Sequence, residues 1–288
     1  MAYKKNVIAI VYDFDGTLSP QPMYDYGVLP KLKIKPKKFW DKVSREAKKE
    51  NADQMLWYMY LLIDKAEKED IPFKDTDLKQ LSKNIEYFKG VKTHFKHLRD
   101  YVSKKSRNQV KLRFYLISAG LKEILDGIPI KIEFNKIFAS EYIHDQYGKP
   151  LFPKILVNDT MKTQYLFRIN KGRELQYERI NEHMPEDQRP IPFSNIIYVG
   201  DGETDVPGMA VTLKNGGHSI AVYKPKKHKA IDICKKLFRE NRVNHIAPAD
   251  FRSSSQLIKT LKLTLDLIIH KILYSKSMYK QKRSFKKR

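Results

Sequence analysis

Four short apolar runs, separated by stretches with helical spacing, restrict this chain to a small set of folds. The runs cover residues 6–12, 110–117, 195–199 and 219–223, and the first is almost wholly apolar and rich in valine and isoleucine. Such runs are typical of parallel strands that are buried on both faces of a sheet. Because helical patterns separate them, the sequence predicts an α/β fold with a doubly wound parallel sheet.

One segment interrupts this alternation. Residues 37–50, 52–66 and 75–88 show helical apolar spacing, and no strand-like run lies among them. Prolines precede the segment and Gly90 follows it, where the chain is expected to change structure. We therefore expect an α/β core formed by residues 1–20 and 90–272. A helical cap, residues 21–89, would be inserted into it.

The remaining helical patterns lie in the predicted core. Residues 93–102 and 253–272 each predict one helix, and residues 159–183 predict one long helix or two joined ones. Residues 276–288 contain seven basic residues and no acid. We expect a disordered basic tail at 273–288, able to contact polyanions such as nucleic acid.

The overall charge indicates an anionic partner but does not identify it. Lys and Arg number 56 against 33 Asp and Glu, a net charge of +23, which would attract phosphate esters, nucleic acid or anionic lipid. The late apolar stretch 261–273 is interrupted by charged residues and is too short to span a membrane. The single cysteine, Cys234, excludes an intramolecular disulfide and fits a reducing compartment, so we expect a soluble cytoplasmic protein.

The motif VYDFDGTL places two carboxylates, Asp13 and Asp15, directly after the first predicted strand. Ligands of parallel α/β sheets lie beyond the carboxyl ends of the strands, and Gly16 permits a sharp turn there. Two close carboxylates repel each other unless a cation lies between them, so a bound Mg²⁺ would leave one acid to attack and the other to move protons. An ordinary acidic turn is the alternative.

The motif LISAG ends the second predicted strand. The hydroxyl of Ser118 and the backbone N–H groups at Ala119 could approach an oxyanion there. A serine that caps a helix is the simpler interpretation of this motif alone.

The motif NDTMKTQ places Lys162 in the first turn of a helix capped by Asp159 or Thr160. A cation is unfavourable there because of the helix dipole, and a bound phosphate would remove that penalty. Lys171 is the main competitor, but at about 100° per residue it points to the opposite face of the helix. We favour Lys162 as a phosphate-binding residue over Lys171 and over an ordinary surface lysine.

The motif YVGDGETDVPGM repeats the pattern of a strand followed by acids. Asp201 follows the predicted strand, and Asp205 can reach the same place from the start of the next helix if Gly202 supplies backbone freedom. Oxygen ligands without histidine or cysteine suit Mg²⁺ better than Zn²⁺. His94 and His97 share a helix face near lysines, so we interpret them as solvated rather than as a metal pair.

Together these residues resemble the haloacid dehalogenase-like hydrolase superfamily, whose four motifs occur here in the same order: DFDGT, Ser118, Lys162 and GDGETD. The resemblance covers residues 6–223, and an insertion directly after the first motif resembles the phosphoserine-phosphatase-like branch. The spacing from Lys162 to Asp201 is longer than usual for the family. The cap matches no substrate pattern.

The resemblance implies a phosphatase with a Mg²⁺ cofactor. Asp13 would accept the phosphoryl group and Asp15 would act as acid and then as base. The metal would be bound by the Asp13 carboxylate, the Asp15 backbone carbonyl and Asp201. Asp205 would either bind the metal as well or contact the residues that bind it. Ser118, Ala119 and Lys162 would hold the phosphoryl oxygens.

Two other functions fit some of the same features. A phosphotransferase or phosphomutase would keep the same acids and pass the phosphoryl group to an acceptor other than water. A nucleic-acid-binding protein on a hydrolase scaffold would explain the charge and the basic tail, but it gains nothing from a pocket of four carboxylates. The expected partner is thus a small phosphorylated substrate.

Overall fold

The computed structural model describes residues 5–285. It contains one seven-stranded sheet in the order β4-β3-β2-β1-β5-β6-β7, in which every neighbouring pair is parallel except β3 with β4. The strands are β1 Val7–Tyr12, β2 Lys111–Leu121, β3 Lys136–His144, β4 Pro150–Ile155, β5 Ile196–Gly200, β6 His218–Tyr223 and β7 His245–Pro248. The predicted doubly wound α/β class is confirmed.

Eleven α-helices surround the sheet among the described residues. They are α1 Met23–Tyr26, α2 Val28–Lys31, α3 Pro36–Glu50, α4 Gln54–Lys68, α5 Asp75–Leu81, α6 Val91–Ser106, α7 Lys122–Leu125, α8 Met161–Lys171, α9 Val206–Lys214, α10 His228–Arg239 and α11 Gln256–Phe285. Helices α1 to α5 lie within the segment predicted as the cap, although residues after Asn84 are not helical there.

The central strand β1 separates two apolar cores. Ile8, Ile10 and Tyr12 join the core that contains α6, α11 and the cap helices, whereas their neighbours along the strand join the core around α8 to α10. The alternation arises because successive side chains of a strand point to opposite faces. Since both faces are covered, the strand is apolar throughout, as its sequence indicated.

Helix α8 and its surroundings differ from the prediction of one long or two joined helices at 159–183. The helix ends at Lys171 because Gly172 adopts a left-handed conformation, with φ of +63°, at its C-terminus. The following loop is held by Arg168, whose guanidinium donates to the carbonyls of Arg173, Leu175 and Gln176. Basic side chains therefore replace the helical hydrogen bonds that the loop lacks.

The end of the chain also differs from the prediction. Residues 273–285, expected to begin a disordered tail, continue α11 to Phe285, and residues 286–288 lie outside the described residues. The continuation contains neither glycine nor proline, and extending an existing helix avoids the cost of nucleating a new one. Among residues 5–285, no helix combines the length and apolar character needed to cross a bilayer.

Candidate active site

Asp13 lies at the carboxyl end of the central strand β1. From this strand the sheet continues through β2 on one side and through β5 on the other. The N–H of Asp13 donates to the carbonyl of Val199 at 3.0 Å, so pairing with β5 continues one residue past β1. Only 5% of Asp13 is exposed. Such a switch point in the strand order is where open α/β sheets bind their ligands.

The turn after Asp13 depends on Gly16. This residue has φ of +80°, and its N–H donates to the carbonyl of Ser19 at 2.7 Å. A Cβ atom on Gly16 would lie 2.0 Å from Oδ2 of Asp201. Glycine is therefore required twice, for the backbone conformation and for the approach of Asp201 to the turn.

The fourth motif brings Asp201 and Asp205 to the same end of the sheet. Asp205 stands at the N-cap position of α9 but makes no capping bond there. Its carboxylate accepts instead from the Tyr198 hydroxyl at 2.8 Å, from the Asp201 N–H at 3.1 Å and from Nζ of Lys162 at 2.7 Å. The close approach requires Gly200, where a Cβ would meet Asp205 Oδ2 at 2.3 Å, whereas Gly202 has open space around it.

Lys162 lies in the first turn of α8, and its side chain is 1% exposed. Its Nζ donates to Asp13 Oδ1 at 2.9 Å as well as to Asp205. Burial alone would lower the pKa of Lys162, but the carboxylates of Asp13 and Asp205 hold that pKa well above its usual range. The ammonium is therefore a charged group of the site.

Lys171 lies away from this cluster, as the helical spacing predicted. Its Nζ donates to the carbonyls of Ile180 at 2.6 Å and Glu182 at 2.9 Å in the loop after α8. Thr160 is at the N-cap position of α8, one of the two predicted caps, but its side chain makes no capping bond. The N–H of Met161 donates instead to Asn158 Oδ1 at 3.0 Å. The structure thus places Lys162, not Lys171, beside Asp13.

Ser118 is inside strand β2 and does not cap a helix, since α7 begins only at Lys122. The last pair of β1 with β2 joins Tyr12 to Leu116, so Ser118 follows at the same edge of the sheet as the acids. Ser118 is buried, and its Oγ accepts from the N–H of Gly120 at 3.0 Å. Ala119 directs its carbonyl to the cap rather than to Asp13, as described below.

Asp15 faces the cap helices. Its Oδ1 accepts from the N–H of Met23, the first residue of α1, at 2.8 Å. The side chain of Met23 lies over the end of β2, because a Cβ on Gly120 would meet the Met23 methyl at 2.1 Å. The first cap helix therefore contacts both an acid of the site and the strand that carries Ser118.

Two tyrosines connect the cap to the site. The Tyr24 hydroxyl donates to that of Tyr58 at 2.8 Å, and the Tyr58 hydroxyl donates to the carbonyl of Ala119 at 2.8 Å. Both rings are buried. Tyr58 thus reaches the core, while the nearby Tyr60 is 51% exposed and packs against Trp57.

Burial gives these acids unusual proton affinities. Burial raises the pKa of Asp13 to about 7, with Lys162 opposing the rise and Asp205 adding to it. Burial and the charge of Asp13 also raise the pKa of Asp15 well above its usual range. Asp201 is affected in the same way, by burial and then by Asp13 and Asp205. One lysine therefore does not balance the negative charge collected here.

The donor set fits a divalent cation of the Mg²⁺ type. Carboxylate oxygens of Asp13, Asp201 and Asp205 lie within 4.8 Å of one another. Oxygen-only ligands suit Mg²⁺, and a cation would relieve the repulsion that adds to burial in raising the pKa values of Asp13 and Asp201. Because three donors already occupy the Asp205 carboxylate, Asp13 and Asp201 are the acids best placed to bind the ion.

Three side chains of the site were not predicted from the sequence. Tyr198 lies within a strand and looks like any core aromatic, although its hydroxyl bonds to Asp205. Thr17 donates to Asp13 Oδ2 at 3.4 Å, and Met23 is an apolar residue of a four-residue helix. Only Thr17 had a signal, as the threonine of the first motif.

A family model described as haloacid dehalogenase-like hydrolase matches residues 10–210. This range includes every acid named above, together with Ser118 and Lys162. An uncharacterized protein of Borreliella burgdorferi is 29% identical over 286 residues, covering 89% of this chain and 96% of that protein.

Solved structures share the fold. A phospho-aspartyl intermediate analogue of phosphoserine phosphatase is similar with a TM-score of 0.55 and 17% identity, over 90% of this chain and 99% of that one. A HAD family hydrolase from Salmonella enterica serovar Typhi gives a TM-score of 0.58 and 16% identity, over 91% and 72% of the two chains. The fold is thus that of the phosphoserine-phosphatase-like branch.

Proposed function

Because this chain belongs to the haloacid dehalogenase-like hydrolases, we propose that it is a Mg²⁺-dependent phosphatase that acts on a small phosphate monoester through an aspartyl-phosphate on Asp13. One observation carries the proposal: the buried ammonium of Lys162 joins Asp13 to Asp205, with Asp201 beside them. A nucleophile, a fixed positive charge and a set of oxygen ligands thus meet at the switch point of the sheet.

In the first step, a carboxylate oxygen of Asp13 attacks phosphorus and the bond from phosphorus to the ester oxygen breaks. Asp15 gives its proton to the departing oxygen, which leaves as an alcohol. The raised pKa of Asp15 keeps a proton available for this transfer. Lys162 and the groups around Ser118 stabilise the charge on the phosphoryl oxygens.

In the second step, Asp15 is ionised and takes a proton from water as the water oxygen attacks phosphorus. The bond from phosphorus to the Asp13 oxygen breaks, which releases inorganic phosphate and restores the carboxylate. Asp205 holds Lys162 in place throughout, supported by the Tyr198 hydroxyl. Mg²⁺, held by Asp13 and Asp201, would supply positive charge to the phosphoryl oxygens.

The proposed substrate is small because the site is closed over by the cap. Asp13 and Ser118 are 5% and 1% exposed, with Met23 and Tyr58 packed above the end of β2. A bulky or polymeric phosphate ester would have to displace these contacts. A nucleic-acid contact through the basic C-terminal segment stays a prediction that no feature of this site supports.

The test is phosphate release from p-nitrophenyl phosphate and from a panel of metabolite monoesters with Mg²⁺, for the wild type and for Asp13→Asn and Asp15→Asn. We expect Asp13→Asn to abolish turnover and Asp15→Asn to reduce it by about 100- to 10,000-fold. Acid quenching should trap a hydroxylamine-sensitive phosphoprotein in the wild type and not in Asp13→Asn.

Asp159→Asn is the matched control. Asp159 lies beside the start of α8 and feels the charge of Lys162, but it is not among the three clustered acids. Turnover by Asp13→Asn near that of Asp159→Asn would overturn the nucleophile assignment. Transfer of the trapped phosphoryl group to a sugar acceptor in preference to water would instead identify a phosphotransferase or phosphomutase.

A further inference from the structure

Helix α11 carries an apolar stripe on the side that faces away from the protein core. Its core side buries leucines and isoleucines from Leu257 to Ile272. The opposite side exposes five large apolar residues, between 40% and 70% accessible: Leu263, Leu267, Tyr274, Met278 and Phe285. At 100° per residue these five fall within an arc of about 60°, and they extend over about 33 Å of helix.

Basic residues flank this stripe. Lys259, Lys271 and Lys282 are exposed on the same helix and, at 100° per residue, lie within about 40° of the edges of the stripe. Its one acid, Asp266, accepts from the Tyr101 hydroxyl at 2.8 Å and lies 3.6 Å from Lys105, so its charge is directed to the body of the protein. The exposed side of α11 is therefore apolar along its middle and positive along its borders.

We propose that the stripe of α11 binds the surface of an anionic lipid bilayer. An in-plane helix needs apolar side chains that enter the boundary between headgroups and acyl chains, with lysines that meet the negative headgroups. A stripe of leucine and methionine gives no contact to phosphates or base edges, so the apolar residues favour lipid over nucleic acid. A second copy of the chain would bring two basic helices together, and their like charges would repel.

The stripe is separate from the candidate active site. Helix α11 begins after β7, close to the edge that carries the acids, and runs toward the opposite edge. There Lys271, Ile272 and Ser275 line a cavity together with Lys5 and Asn195, which adjoin the starts of β1 and β5. Binding through the far half of α11 would leave the catalytic end of the sheet facing the solution.

The experiment measures binding of the full chain to phosphatidylcholine vesicles with and without phosphatidylglycerol, at low and high salt. We expect binding only with phosphatidylglycerol, weaker as salt increases. The variant L267Q/Y274Q/M278Q and the variant K259Q/K271Q/K282Q should each bind at least about tenfold more weakly. Glutamine is a good helix former, so α11 should keep its circular dichroism signal in both variants.

Two control variants distinguish vesicle binding by the stripe from nonspecific binding by exposed lysines or apolar residues elsewhere on the protein. K104Q/K235Q/K236Q removes three exposed lysines from α6 and α10, and Y147T/L151T/F152T removes three exposed apolar residues from the β3–β4 hairpin. Both should bind vesicles within about twofold of the wild type. All variants should keep the phosphatase rate of the wild type, if the proposed activity holds.

Three outcomes would overturn the proposal. The first is equal binding to vesicles with and without phosphatidylglycerol, or none to either. The second is a control variant that loses as much binding as the α11 variants. The third is a stripe variant that binds vesicles normally but loses self-association in sedimentation, or loses binding to an RNA oligonucleotide, since the stripe would then serve another partner.

Discussion

Gly16 and Asp201 approach so closely that no side chain fits between them: a Cβ on Gly16 would lie 2.0 Å from Oδ2 of Asp201. The two residues come from the first and fourth motifs, almost two hundred positions apart in the sequence. Their contact fixes the distance between the loop that carries Asp13 and Asp15 and the loop that carries the second pair of acids.

The substitution Gly16→Ala should therefore displace Asp201. We expect turnover to fall by at least about 100-fold and the Mg²⁺ concentration for half-maximal activity to rise. The positive φ adds about 1–2 kcal/mol of instability. Gly148→Ala is the matched control, since Gly148 has the same φ of +80° with no neighbour closer than 3.9 Å. Equal activity of the two variants would mean that the contact has no role in the site.

Replacing either of two lysines on α8 should separate catalysis from loop structure. Lys162→Met removes the charge between Asp13 and Asp205, and we expect turnover to fall by about 100- to 1,000-fold. Lys171→Met removes contacts to two loop carbonyls and should cost about 1 kcal/mol of stability, with turnover within about twofold of the wild type. Steady-state kinetics and thermal unfolding of both variants check this, and the reverse pattern would make Lys171 the functional residue.

The positions of the acids could be predicted from the sequence, because the carboxyl ends of neighbouring parallel strands meet at one edge. The bonding of Asp205 could not. A residue at a helix N-cap normally bonds to its own helix, and only the structure shows that Asp205 turns back to Lys162 and Tyr198. That choice depends on Gly200, whose missing side chain leaves room for the carboxylate.

The β3–β4 hairpin was absent from the prediction because its pattern is unusual. Strand β4 contains two prolines and exposes Leu151 and Phe152, so it lacks the buried apolar run that marked the predicted strands. His94 was also wrongly interpreted as solvated. It is buried, its ring bonds to the carbonyl of Val91 at 2.8 Å and the Tyr12 hydroxyl at 3.1 Å, and burial lowers its pKa to about 3. A polar residue on a helix face gives no sign of such partners.

Mg²⁺ should determine which protein is more stable, the wild type or the variant Asp201→Asn. Without Mg²⁺ the variant should be the more stable protein, because burial and the neighbouring acids disfavour an ionised Asp201. With Mg²⁺ at about 100 times its dissociation constant, the wild type should gain about 2.7 kcal/mol and the variant little. Thermal unfolding with EDTA or with Mg²⁺ measures both. A wild type that Mg²⁺ does not stabilise would remove the metal from the proposed site.

Glu123 on α7 should make the protein less stable as pH rises toward neutrality. Its side chain is 3% exposed, its Oε1 accepts from the N–H of Tyr142 at 2.8 Å, and its Oε2 has no hydrogen-bond partner among the described residues. Burial raises its pKa to about 7 from the ordinary value of 4.5, against the effect of the Tyr142 N–H.

Between these two pH values the folded protein holds a proton that the unfolded chain has lost. Stability should therefore be highest below pH 4.5 as far as Glu123 is concerned, and should decrease until about pH 7, by a total of about 3 kcal/mol. Glu123→Gln cannot ionise, so its free energy of unfolding should fall less between pH 5 and pH 8 in urea titrations. Glu46→Gln, which removes a more accessible carboxylate on α3 that lies 3.9 Å from Lys42, is the control and should keep the wild-type slope. If Glu123→Gln also kept that slope, the buried carboxyl would not be the group that titrates.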